Sequence, residues 1–270
     1  MQLNPQQVGD FERDGYVLLP RVFSAAEVAI LRGETDRLSA TDTDCITREK
    51  SGAVRSIARV HENEGPTQSA SLRALTRTPR LMEPVVQLMG DTCIYIHQTQ
   101  VNFKTALEGG ICSWHQDYGT WRRDGIPAPR AITAMVMIDD AEEISGAMYF
   151  APGSHRHGEV IHLEDPGIGA LNPLSVDRRH LTRLLEVRKP VPVVGSAGSV
   201  VLYHCNLIHG SGHNMSPRDR RQITIVYNPV ANNPLPVEQP RPEYLCSRNQ
   251  EPIAMGRDED ILLAMERVGS

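Results

Sequence analysis

The sequence predicts an α+β domain with a β-sandwich or barrel core. Three observations carry this. Up to about residue 92 the chain reads as helices with one short strand. From Ile94 onward the side-chain period changes to two. Gly and Pro then punctuate the gaps between strand-like runs, at Gly109-Gly110, Pro127, Pro129, Pro152-Gly153, Gly195, Gly198 and Pro217. At 270 residues and 40 % hydrophobic, the chain has the apolar material for one sizeable core. A single domain over 1–270 is expected, with a helical part over about 1–92 and a β core over about 93–230.

The elements follow in order. Pro5 opens a short helix through Phe11, which Gly15 ends. Residues 16–19, Tyr-Val-Leu-Leu, form a strand closed by Pro20. Ser24 and Glu27 have the spacing of a capping box, and Val28, Leu31 and Leu38 give the following helix an apolar face. Residues 41–52 are polar and aperiodic and read as loop. One helical stretch spans about 69–89, with Leu72, Leu75, Leu81, Val85 and Leu88 facing inward. In the first long strand, Ile94, Ile96, Gln98, Gln100 and Asn102 are expected on one face. Tyr95, His97, Thr99, Val101 and Phe103 fall on the other. Further strands are expected over 131–138, 147–150, 199–204 and 222–227. A charged, partly helical insertion over about 162–189 interrupts them; an insertion of that length in a compact barrel commonly serves as a lid.

Charge and cysteine content narrow the function. Lys and Arg total 28 against 33 Asp and Glu, a formal charge of −5. With no basic block, nucleic acid is excluded as an expected partner. No apolar run approaches a membrane span, and the first fifteen residues lack a signal-peptide core. The five cysteines are odd in number, scattered and never at a CxxC spacing. That argues against a disulfide framework or a structural zinc site and fits the reducing cytoplasm.

The chemistry concentrates in Ser113-Trp114-His115-Gln116-Asp117. A His and an Asp two apart on an extended segment point to one side and can share one metal ion. His209, near the end of a strand-like run, is the candidate third ligand; His213 is the rival for that place. Two neutral imidazoles and a carboxylate make the facial triad that holds Fe(II) with three adjacent positions open to a bidentate organic acid and dioxygen. The far carboxylate of such an acid needs an anchor. Arg220 stands eleven residues after His209, on a strand where it shares the polar face with Gln222 and Thr224, while Arg221 takes the apolar face. A guanidinium fork fits a carboxylate through two parallel charge-assisted hydrogen bonds.

With these motifs the chain resembles the phytanoyl-CoA dioxygenase superfamily of Fe(II)- and 2-oxoglutarate-dependent oxygenases. The nearest likeness is to ectoine hydroxylases and to free amino acid hydroxylases of the leucine 5-hydroxylase type. It rests on Phe11-Glu12-Arg13-Asp14-Gly15-Tyr16-Val17, Tyr95-Ile96-His97-Gln98 and Trp114-His115-Gln116-Asp117. It continues through Asp124-Gly125-Ile126-Pro127, Pro152-Gly153-Ser154-His155, His209-Gly210-Ser211 and Arg241-Pro242-Glu243-Tyr244. The resemblance implies a double-stranded β-helix, the jelly-roll or cupin-like core, flanked by α-helices. It implies that His115, Asp117 and His209 bind iron and that Gln98, Thr133, Ser211 and Arg220 contact 2-oxoglutarate. Asn102 and Trp121 match residues lining the same pocket, and Arg241 matches an arginine assigned to the substrate carboxylate. Around the triad, Cys112, Gln116, Tyr118 and Gly119 depart from ectoine hydroxylase. Asp117 is intact, which argues against the related halogenases.

The implied reaction is hydroxylation of an unactivated C–H bond of a small zwitterion, a free amino acid in secondary-metabolite biosynthesis, with Fe(II), 2-oxoglutarate and dioxygen. An ectoine-like metabolite, desaturation or cyclisation, and a non-catalytic cupin-like binding protein are the alternatives. Three residues keep two readings. Gln98 either contacts the cosubstrate or satisfies the barrel interior. Arg241 either binds substrate or pairs with Glu243 or another acid. Arg55 either reaches the substrate from a lid or lies on an exposed loop.

Overall fold

The computed structural model describes residues 1–160, 162–164 and 174–266. Helix α1 (Pro5–Asp14) starts on an Asn4–Gln7 capping box and ends at Gly15 in the left-handed region. It is one turn longer than expected. Strand β1 (Tyr16–Leu19) and helix α2 (Ala25–Ser39), capped by Ser24 and Glu27, follow as the sequence predicts. The expected loop over 41–52 contains a short strand, β2 (Ile46–Arg48), which pairs with β3 (Val54–Ala58). The expected helix over 69–89 is two helices, α3 (Ala70–Leu75) and α4 (Pro79–Met89). Pro79 forces Thr78 into extended backbone and restarts the helix there.

Strand β4 (Ile94–Lys104), strand β5 (Cys112–His115) and helix α5 (Asp117–Arg123) come next, then β6 (Ile132–Met137) and β7 (Met148–Phe150). The described parts of the insertion are β8 (His162–Glu164), β9 (Leu174–Val176) and α6 (Arg178–Val187). The chain continues with β10 (Val191–Val193), β11 (Val200–His204), β12 (His209–Ser211), β13 (Arg220–Pro229) and α7 (Asp260–Glu266).

Two antiparallel sheets face each other. The larger has the order β1-β11-β6-β13-β4-β3-β2 and the smaller β10-β7-β12-β5. On the outer face of the large sheet, Val101, Ile132, Ala134, Val136, Leu202, Ile223 and Ile225 pack in one core with Leu31 and Leu38 of α2, Leu75 of α3, Leu81 and Val85 of α4, and Ile261 of α7. On its inner face, Met135, Met137, Val201 and Tyr203 meet Met148, Phe150 and Val193 of the small sheet. At one end this inner face turns polar, and that end is where the cavity lies.

The face assignment of β4 holds only in part. Ile94 and Ile96 lie with Val101 in the outer core, whereas Gln98, Gln100 and Asn102 face the cavity. Val226 pairs with Gln98 but Tyr227 with Ile96, so His97 is an extra residue, and the bulge swaps the two faces. The insertion packs on the back of the small sheet: Val176, Leu181, Leu184 and Leu185 join Trp114 and Ile208. None of its described residues lines the cavity, and residues 161 and 165–173 of the expected lid lie outside the described residues.

Candidate active site

His115 and His209 are direct cross-strand neighbours. His115 ends β5 and pairs with His209, the first residue of β12, which pairs with Phe150 on its other side. Cross-strand neighbours stand close enough for their side chains to meet, and the two imidazole centroids lie 4.2 Å apart. Gly210 makes this approach possible, since a Cβ there would stand 3.0 Å from the carbonyl oxygen of Cys112 and 3.2 Å from the Trp114 nitrogen. Asp117 is not on an extended segment with His115. It opens α5 after one extended residue, Gln116, and still returns to the same side. The Gln116 amide donates to the carbonyls of Gly158 and Asn206 and accepts from the Val160 N–H, which fixes the turn between the two.

The three side chains converge. His115 Nε2 is 3.5 Å and His209 Nε2 3.8 Å from Asp117 Oδ1, and one donor atom from each residue lies within 4.8 Å of the others. His115 Nδ1 contacts the Ser113 carbonyl at 2.7 Å and His209 Nδ1 the Leu207 carbonyl at 2.9 Å. A carbonyl oxygen only accepts, so each Nδ1 carries the proton. In the neutral rings this leaves each Nε2, on the side of Asp117, as the atom that would bind a metal ion. Burial and the neighbouring His115 push His209 down to about 4, which favours its neutral form. Two ligands at right angles around one ion, with bonds of about 2.1 Å, stand about 3 Å apart. Each imidazole therefore needs to close on Asp117 by less than 1 Å, and the donor set suits a divalent iron ion. His213 is no rival: its Nδ1 meets the carbonyl of Gly109 at 3.2 Å, outside the cluster. His155 and His204 meet one another elsewhere, their rings tilted at 48°.

Every candidate site residue lines one cavity of about 160 Å³: Gln98, Asn102, His115, Asp117, Trp121, Thr133, His209, Ser211, Arg220 and Arg241. At one end Arg220 is 2 % exposed. Its Nη1 donates to Gln222 and its Nη2 to the Gly146 carbonyl, while the buried Nε has no partner. Among the described residues no carboxylate pairs with it, and burial pulls it down to about 10. A buried cation with an unused donor is a receptor for an anion. Arg221 points the other way, onto Asp139.

At the other end Arg241 donates through Nε to Asp124 Oδ2 at 2.7 Å and through Nη2 to Gln98 Oε1 at 3.2 Å. Glu243 is not its partner; that carboxylate lies 3.5 Å from Arg59. Burial opposes ionisation of Asp124, but His97 and Arg241 outweigh it and hold the carboxyl below its usual range. Asp124→Asn therefore strips the counter-charge from a cation that is only 13 % exposed. We expect a loss of about 3 kcal/mol, read as a lower denaturant midpoint at unchanged slope.

Sequence reasoning missed Lys104 and Tyr203. Lys104 follows Asn102 on the cavity face of β4, stands opposite Arg220 and donates to the carbonyls of Gly110 and Gly212. Burial and the Arg220 charge bring it down to about 8. Strand alternation beyond Asn102 was the signal that pointed to it. Tyr203 packs its ring 5.2 Å from His209; its alternation within an apolar strand gave no polar signal. Cys112 lines the cavity beside His115 and, like the other four cysteines, is free.

Comparison with known proteins fits this geometry. A family model described as phytanoyl-CoA dioxygenase (PhyH) matches residues 11–222. The chain is 36 % identical over 266 residues to an ectoine dioxygenase of Bordetella bronchiseptica, covering 91 % of this chain and 83 % of that one. It is 32 % identical over 260 residues to an L-proline trans-4-hydroxylase of Streptomyces griseoviridis, covering 90 % and 92 %. Among solved structures it superposes on EctD from S. alaskensis with 2-oxoglutarate and 5-hydroxyectoine, at a TM-score of 0.80 and 34 % identity, covering 94 % of this chain and 88 % of that one. The same enzyme with bound Fe gives a TM-score of 0.79 at 33 % identity and the same coverage.

Proposed function

The chain belongs to the phytanoyl-CoA dioxygenase (PhyH) family, and from that premise we propose that it hydroxylates a free amino acid with Fe(II), 2-oxoglutarate and dioxygen. The observation that carries this is the convergence of His115, Asp117 and His209 in one cavity with an Arg220 that has no counter-ion among the described residues. At about 160 Å³ the cavity falls below the roughly 300–1,000 Å³ of drug-sized sites, which favours small metabolites.

The ion, when bound, supplies the redox chemistry with dioxygen that no side chain here can perform. The protein supplies position. His115 and His209 would hold the ion through Nε2 and Asp117 through its carboxylate, with the Ser113 and Leu207 carbonyls fixing the rings. The Arg220 fork takes the far carboxylate of 2-oxoglutarate, helped by Ser211 and Thr133, while Gln98 and Asn102 line its length. Asp124 and Gln98 occupy the Nε and Nη2 of Arg241 and leave its Nη1 edge for the substrate carboxylate. Trp121, buried in the wall with its ring edge-on to His97, limits where the substrate chain lies. By orienting the substrate, Arg241 and Trp121 would determine which of its carbons is presented to the metal site and so which is hydroxylated. This enzyme works in the cytoplasm, where its free cysteines stay reduced.

An ectoine-like zwitterion is the second reading, favoured by the 36 % identity to an ectoine dioxygenase. Incubation with Fe(II), ascorbate, 2-oxoglutarate and each of the twenty amino acids or ectoine separates the two. The expected result is succinate formed with one amino acid, which gains one oxygen atom in mass. Succinate with ectoine alone selects the second reading. No succinate with any of them, and no iron retained, establishes a non-catalytic binding barrel.

A further inference from the structure

The β2–β3 hairpin brings two charged side chains, Glu49 and Arg55, to the cavity mouth, and neither has a role in the reaction described above. Arg55 arrives by an irregularity. Thr47 pairs with Ser56 and Arg48 with Val54, so Arg55 is an extra residue in β3. In a regular strand it would share the face of Ile57, which is fully buried in the outer core. The bulge turns it into the cavity instead, a re-aiming for which bulges beside active sites are known. It is neither a loop residue nor a core residue. Among the described residues its guanidinium has one partner, Glu49, at 4.0 Å, with no hydrogen bond between them.

From the mouth a line of cations runs inward. The Arg55 side chain is 26 % exposed, Lys104 8 % and Arg220 2 %, and the last two stand opposite each other in the β4–β13 register. Among the described residues the lining contains two carboxylates, Glu49 and Asp117. Asp117 belongs to the metal cluster, so Glu49 is the one negative group on the path. We infer that Arg55, aimed inward by the β3 bulge, is the capture residue for dianionic 2-oxoglutarate on its way to Arg220, and that Glu49 opposes this capture. The inference rests on the cosubstrate reading above.

A charge at a rim acts mainly on the encounter rate and its salt dependence, because the ligand passes it before reaching its final contacts. Two neutralising substitutions at one rim must then act with opposite sign. A structural clasp behaves otherwise, since losing either partner loosens the hairpin alike. The test is anaerobic stopped-flow mixing of the Fe(II)-loaded protein with 2-oxoglutarate, followed by the visible absorbance of 2-oxoglutarate chelating Fe(II).

At low ionic strength Arg55→Gln is expected to slow association by about three- to tenfold, and Glu49→Gln to speed it by a similar factor. The double variant returns close to the wild-type rate. All differences shrink at about 0.5 M salt, where the screening length is only a few ångströms. Equal rates for Arg55→Gln and wild type, or shifts in the same direction for both single variants, overturn the inference and leave the cosubstrate reading intact. Wild-type protein that binds no 2-oxoglutarate overturns both.

Discussion

His209→Ala is expected to lose iron and turnover together. The imidazole is one of three donors, and its lone pair is already aimed by the Leu207 carbonyl. Two remaining donors, His115 and Asp117, form a weaker site. Even loss of a supporting outer-shell partner costs about 10–100-fold in metal affinity, so loss of a ligand is expected to exceed about 100-fold. The ring also fills space between Tyr203 and Phe150, at 5.2 and 6.1 Å, so the substitution opens a small hole. That hole separates two explanations. Added imidazole restores iron retention if the ring acts as a ligand, and fails to if the loss is one of packing. Iron is counted after anaerobic gel filtration. A variant that keeps a full equivalent of iron contradicts the assignment.

Arg220→Ala has the second large effect and the opposite signature. Iron uptake stays as in the wild type, because the guanidinium's hydrogen bonds go to Gln222 and the Gly146 carbonyl and to none of the three metal donors. Affinity for 2-oxoglutarate falls by about 10²–10³, the effect of removing one partner of a buried charge-assisted pair. Without ligand, the variant is at least as stable as the wild type. The wild-type cation is 2 % exposed, has no carboxylate partner among the described residues and leaves Nε unsatisfied, so its removal relieves a desolvation cost. A structural arginine would give a lower melting temperature and unchanged 2-oxoglutarate affinity, and that pair of results removes Arg220 from its role. Arg220→Lys keeps the charge but not the planar fork and recovers only part of the affinity.

Local signals were legible in the sequence and distant ones were not. The cap of α2 depends on residues three apart and forms as read; the same spacing in Asn4 and Gln7 caps α1 and was equally legible, though only Pro5 and Gly15 marked that helix. The candidate cluster was legible because a HxD pair and a later His carry a donor chemistry that packing does not require. The break at Thr78–Pro79 was legible in principle, since proline constrains its predecessor, but the apolar period runs straight across it. The swap of faces at His97 was not legible: a bulge is defined by the partner strand, and the β4 sequence alternates smoothly through it. Strands β5 and β12 have four and three residues, too few for a period to show. The Asp124–Arg241 pair joins positions 117 residues apart, and its Glu243 rival was nearer in sequence. Arg55 depended on the same kind of partner-defined irregularity as His97.

Iron-edge anomalous diffraction from crystals grown with Fe(II) under anaerobic conditions tests the central claim most directly. The account predicts one iron peak per chain, about 2.1 Å from His115 Nε2, His209 Nε2 and an Asp117 carboxylate oxygen. A peak bound by any other set of side chains, or none at full iron loading, contradicts it.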